Sequence, residues 1–213
     1  MSSYLHFDPA IINDNDIYGA TKYFFKSTEQ LLFSRPYDYT IYSFDHAGKM
    51  NKYLDISLPK ERSIPQDFLT NSKYTNKRRA YTNNHGAIIF LITDVYKAGE
   101  ILTFKLIAPK YMNTFLYDLN KDVLIDFRKY LSDASTFFLP ITNNSILGID
   151  ENRLISSIPS ERLIRALTFN IGIKGYLPSL PDNLKEFYKK GNNQNPVLVL
   201  ISLKKQIVYD TAG

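Results

Sequence analysis

Apolar residues recur along this chain at two different periods. Over 37–44 the period is two: Tyr37, Tyr39, Ile41 and Ser43 fall on one side, and Asp38, Thr40, Tyr42 and Phe44 on the other. That alternation is the signature of a half-buried strand. Ala47-Gly48 supplies turn chemistry and 53–58 reads as the return strand, so 37–58 is expected to be a hairpin. A stronger hairpin is expected over 87–108. Its first strand spans 87–96 and Lys97-Ala98-Gly99-Glu100 turns the chain. Leu102, Phe104 and Leu106 then alternate with Thr103 and Lys105. Short strands are expected at 136–141 and 145–149. A third hairpin or bent strand is expected from 197–203 and 206–209 around Lys204-Lys205.

Elsewhere the spacing is helical. Ile17, Ala20, Phe24 and Leu31 predict a helix over 16–34, with N-cap oxygens in 13–16 and Pro36 as its stop. Val123, Leu124, Phe127, Tyr130 and Leu131 predict an amphipathic helix over 121–132. Ser160 is placed to cap a helix through about 169 with Leu163, Ile164 and Leu167 as its apolar stripe. Ser179 followed by Asp182 resembles a capping box for a helix that ends at Gly191. The expected fold class is α+β: antiparallel hairpins with helices packed on one side and one long polar loop. The chain is read as a single domain over 1–213, with a sub-division considered near 110–135.

The long polar loop is 59–86. It carries six basic and two acidic residues, a net of +4 out of the chain's formal +5. Polar loops of this length inside compact domains are usually functional or disordered. Its buriable surface is small over 72–85, where only Tyr74, Ala80 and Tyr81 are apolar, so the segment is expected to be a mobile, extended arm. Cations interleave with rings there. Lys73, Tyr74, Lys77, Arg78, Arg79 and Tyr81 are therefore the candidate contacts to a protein partner or to single-stranded nucleic acid, whose phosphates need cations and whose bases stack on rings.

The stretch Ile171-Gly172-Ile173-Lys174-Gly175 resembles the GXXG loop of KH domains, which clamps a nucleotide strand. A helix-terminating glycine followed by a turn explains the same residues, and Pro178 and Pro181 delay the next helix.

Composition narrows the chemistry. The chain has 213 residues, 44% of them hydrophobic, with 16 Tyr, 14 Phe and no Trp, enough for a ring-rich core. It has no Cys, which excludes disulfides, thiolate metal sites and Cys nucleophiles. His6, His46 and His85 are widely separated and form no ligand pair. Asp118, Asp122 and Asp126 could share a helical face, where a solvated acidic surface is the usual reading. No G-x-S-x-G elbow, Walker A or dinucleotide fingerprint occurs, so no cofactor is expected. The first residues lack the basic and apolar regions of a secretory signal, and the longest apolar run, 87–92, is far below the ~20 residues of a membrane span.

These readings converge on a non-enzymatic structural or assembly subunit that self-associates or binds neighbouring subunits. The abundance of Ile, Asn, Lys and Tyr fits AT-rich codons. The most concrete form of the expectation is therefore a bacteriophage tail, neck or baseplate protein, located in the virion or cytoplasm, neither secreted nor membrane-spanning. A nucleic-acid-binding protein using 73–79 is the alternative.

Overall fold

The computed structural model describes residues 14–27, 29–129, 132, 136–140, 145–174, 180–191 and 195–202. The chain divides into two compact units, Met1–Asp126 and Phe127–Gly213.

Two four-stranded meanders form the first unit. The first is β1 (Phe24–Lys26), β2 (Leu31–Phe33), β3 (Thr40–Phe44) and β4 (Met50–Asp55), and the second is β5 (Leu91–Ala98), β6 (Ile101–Ala108), β7 (Tyr111–Asp118) and β8 (Val123–Asp126). Each sheet is antiparallel and ordered as in sequence. Both predicted hairpins are present, as β3–β4 and β5–β6. Turn chemistry closes the first: the Asp45 carboxylate accepts from the amides of Ala47 and Lys49, and Gly48 takes a φ of 75° that a side chain would resist. The sheets meet through β1 and β2 lying against β5. Phe25 meets Tyr96 edge-on, and the Ser34 hydroxyl donates to the Ile92 carbonyl at 2.7 Å. Along β6 six consecutive residues, Ile101 to Leu106, are buried, so that strand is covered on both faces.

The helix expected over 16–34 is absent; β1 and β2 occupy its second half. Phe24-Phe25 and Leu31-Leu32-Phe33 are apolar doublets that satisfy either period. Pairing decides the matter, with Phe24 opposite Phe33 and Lys26 opposite Leu31. Ser27 makes the turn, its hydroxyl donating to the Gln30 carbonyl at 2.8 Å. The helix over 121–132 is likewise replaced, by β8 and a 3-10 turn at Phe127–Lys129. Asp118 is the cause: its carboxylate accepts from the amides of Asn120 and Lys121 at 3.1 Å each, which turns the chain back onto β7.

Segment 59–86 is folded rather than extended. It contains 3-10 turns at Lys60–Arg62 and Ser72–Tyr74, then helix α1 (Arg78–Asn84). Phe68 and Tyr74 are buried with Tyr37, Phe90 and Leu91, and Ile64, Leu69 and Tyr81 pack around them. The expectation of a mobile arm counted apolar residues over 72–85 alone and missed two further sources of order. Phe68 anchors the segment from upstream, and Arg78 is held inside by polar partners.

The second unit contains β9 (Ile146–Asp150), β10 (Arg153–Ile158) and β11 (Val197–Ser202), an antiparallel sheet of order β11-β10-β9. Helices α2 (Ser160–Lys174) and α3 (Asp182–Lys190) cover one face of it. Leu163 and Leu167 pack with Ile158, Leu139 and Leu180, and Val197 and Val199 flank them. α2 runs through Gly172 instead of ending before it, so the resemblance to a KH loop does not hold there; Gly175 lies outside the described residues. Thr136 and Phe137 form a turn where a strand was expected, and 206–209 and Ser179 also lie outside the described residues.

Candidate interaction surface

The six residues singled out in the sequence do not share a surface. Tyr74 is buried, and Tyr81 is half-buried, stacked on the His85 ring with centroids 4.3 Å apart. Arg78 is the largest fully buried side chain, only 1% exposed. It forms an ion pair with the buried Asp14. Its guanidinium also donates to the carbonyls of Phe68 at 3.1 Å and Leu69 at 3.0 Å and lies over the Phe68 ring. Asp14 in turn accepts from the amides of Asp16 and Asn76. This network fastens residues 14–16 to the segment. Fork geometry and weak hydration suit an Arg, more than a Lys, to such a buried role.

Lys73, Lys77 and Arg79 do reach the surface. The Lys73 ammonium bonds the Asp67 carboxylate at 3.0 Å, which raises its pKa, while bonds from Asn71 and then Lys73 lower that of Asp67. Arg79 donates to the Ile17 carbonyl and lies 5.0 Å from the Tyr18 ring centroid. Much of the segment's positive charge is therefore engaged within the fold.

Two phenols just before β3 hold neighbouring chain in place, Tyr39 tying in the segment and Tyr37 the stretch at Tyr18. Tyr39 donates to the Ile89 carbonyl at 2.7 Å and accepts from the Ile64 amide at 2.8 Å. Tyr37 accepts from the Tyr18 amide at 2.8 Å. Burial pushes both phenols up to about 12.

The candidate metal and carboxylate sets are dispersed too. Asp118 ends β7, Asp122 sits in the following turn with φ 54°, and Asp126 ends β8. His46 and His85 are on separate turns, and His6 lies outside the described residues. Among the described residues no group of three or more His, Asp or Glu is placed to hold a metal. No described helix is long and apolar enough to cross a membrane.

One apolar surface open to contact was not singled out by the sequence reading. Strand pairing places Phe24, Leu31, Phe33, Tyr42 and Phe44 on one face of the first sheet, with Lys26 among them. The opposite face carries Phe25, Leu32 and Ile41, all fully buried. On the first face Phe24 is 50% and Leu31 40% exposed. Phe33 is the hub: its ring centroid lies 5.1 Å from Phe24, 6.0 Å from Tyr42 and 6.2 Å from Phe44. A shallow groove of about 530 Å³ borders it, with Glu29, Asp45 and His46 along its polar edge. Helical periodicity concealed this face, because Phe24 and Leu31 look like a core stripe until β1 and β2 pair. The retrievable signal was the aromatic parity of 42 and 44 against the inward Ile41.

No protein-family model matches the sequence, and no curated protein matches it significantly. Among solved structures, a "Putative exported protein" of Bacteroides fragilis shares the fold, with a TM-score of 0.56 and 20% identity. The match covers 86% of this chain and 49% of the other, so the chain spans about half the length of that neighbour. The neighbour's description as exported points away from a virion or cytoplasmic location, and the expectations of a phage tail, neck or baseplate protein and of a non-secreted one are withdrawn. They rested on AT-rich composition, the absence of Cys, a long polar segment, the lack of a catalytic signature and first residues without secretory features, all indirect signs of location.

Proposed function

We propose that this chain is a non-enzymatic assembly module that docks a protein partner on the aromatic face of its first sheet. The observation that carries the reading is the half-exposed Phe24 and Leu31, continuous with Phe33, Tyr42 and Phe44 on one sheet face. Contiguous apolar area of this kind is uncommon on a surface with no partner, and aromatic residues are enriched where proteins meet. The rings lean on one another at 46° to 82°, which favours a packed protein contact over flat stacking on bases.

A photo-crosslinking side chain at Phe24 tests this in the source cells. A discrete protein adduct is expected there, and none from the same group at exposed Lys60. A nucleic-acid adduct, or no adduct from either Phe24 or Leu31, refutes it.

A further inference from the structure

One side of α2 is core and the stripe beside it is not. Leu163 and Leu167 are buried with Leu139, Ile158 and Leu180. Arg162, Ala166 and Phe169 recur at i, i+4 and i+7, and Arg165 stands one turn before Phe169, so these four share the neighbouring stripe. Both arginines are exposed, and Phe169 is 62% exposed. With Phe138 and Pro140 they line an open groove of about 590 Å³. The Phe138 wall is set in place at a cost to the backbone. Phe137 and Phe138 each take a φ of 54°, a left-handed conformation that bulky side chains resist. The buried Asn170 of α2 holds that turn by donating to the Phe137 carbonyl at 2.9 Å. Backbone strain held in this way clusters at ligand clamps.

Among the described residues lining the groove there are two guanidiniums and no carboxylate. Arg165 pairs with Glu161 along the helix, but the two side chains are 78% and 82% exposed. So exposed a pair contributes little, and an incoming carboxylate can take the place of Glu161. We propose that this groove docks an acidic peptide segment of another protein, with a carboxylate on Arg162 and Arg165 and an aromatic or aliphatic side chain against Phe169 and Phe138. The guanidinium fork matches a carboxylate, and Arg and aromatic anchors carry most of the energy where proteins meet. Spacing limits the ligand. The arginines precede Phe169 by two turns and by one, roughly 6 to 10 Å along the helix axis. An extended peptide rises about 3.3 Å per residue, so its acid and its apolar side chain should stand two or three residues apart. Nucleic acid is served less well, because its backbone needs a track of cations and Pro140 and Ala166 offer apolar wall instead of rings for bases. The groove lies within the second unit and is additional to the aromatic face of the first, so one chain carries two docking sites.

Fluorescence anisotropy of the full chain tests this with a short labelled peptide that carries two adjacent glutamates and, three residues on, a phenylalanine. Saturable binding is expected with a Kd on the order of 100 µM, as befits a small, transient contact. Phe169→Ser, and separately Arg162→Glu combined with Arg165→Glu, should each weaken it by roughly tenfold or more. Lys60→Glu, a charge reversal at an exposed cation of the first unit, should leave it unchanged. Replacing the peptide's glutamates by glutamine, or its phenylalanine by alanine, should weaken binding as much, and those arms require no altered protein to fold. Absence of saturable binding below about a millimolar overturns the proposal, and so does binding that survives both groove variants. Tighter binding of an oligothymidylate that Phe169→Ser abolishes also overturns it, because the groove then belongs to nucleic acid. None of these outcomes bears on the proposed function, which is read separately by crosslinking at Phe24 in the first unit.

Discussion

Replacing Arg78 by Ala should destabilise the first unit more than any exposed cation of the same segment. The wild-type guanidinium neutralises Asp14 and donates to the carbonyls of Phe68 and Leu69, all away from water. Arg78→Ala leaves Asp14 buried without its counter-charge and both carbonyls without their donor. Removing one partner of a buried pair typically costs about 3–5 kcal/mol. Asp14 keeps the amides of Asp16 and Asn76 on its other oxygen, which holds the cost within that range rather than above it. Against a typical domain stability of about 5–15 kcal/mol this is a large fraction. Urea unfolding should therefore show a lowered midpoint with an unchanged slope. Trypsin should cut beside Lys77 and Arg79 much faster than in the wild type, because helix α1 and residues 14–16 lose their common anchor. Arg78→Met combined with Asp14→Asn should recover the part of the loss due to the unpaired charge, since both charges are removed and the Asn oxygen retains the two amides, while the Phe68 and Leu69 carbonyls stay without their donor. A cost below about 1 kcal/mol for Arg78→Ala, with trypsin rates unchanged, would refute the ion pair as the anchor of the segment.

Other expectations follow from the same geometry. Phe68→Ala, at a fully buried ring surrounded by Tyr37, Tyr74 and Tyr81, should cost about 3–5 kcal/mol in the same urea assay. Tyr39→Phe strands the Ile89 carbonyl and the Ile64 amide and should cost about 1–3 kcal/mol. Alkaline titration gives a signed test. Tyr37 and Tyr39 are pushed up to about 12 in the fold against 10.0 ordinarily. The unfolded chain therefore loses these protons first, and stability present below pH 10 should fall as pH rises through 10 to 12. Tyr37→Phe should flatten that fall; an unchanged slope would show that the phenol is not the group responsible.

The hairpins at β3–β4 and β5–β6 were legible because alternation and turn residues agree locally. Ile41 and Ser43 are buried while Tyr42 and Phe44 are partly exposed, and Gly48 and Gly99 sit at positive φ in tight turns. α2 and α3 were legible for the corresponding reason, a Leu stripe at 163 and 167 and a clear stop at Gly191. The β1–β2 pair was not, because doublets such as Phe24-Phe25 carry no period of their own and acquire one only when a partner strand sets the register. Segment 59–86 was misjudged on its charge. A formal charge does not reveal whether a guanidinium meets solvent, and Arg78 is ordered by Asp14, which stands sixty-four positions away in the chain.

What the sequence determined by itself was therefore local: the strands with strict alternation, their turns, the two helices of the second unit, and the exclusion of thiol chemistry. Tertiary structure alone decided which apolar residues are core and which are surface. Phe24 and Phe25 are chemically identical neighbours, yet one is half exposed and the other fully buried. Pairing with β2 and packing against β5 assign each to its face, because successive side chains of a strand point in opposite directions and only the position of the second sheet says which direction is inside.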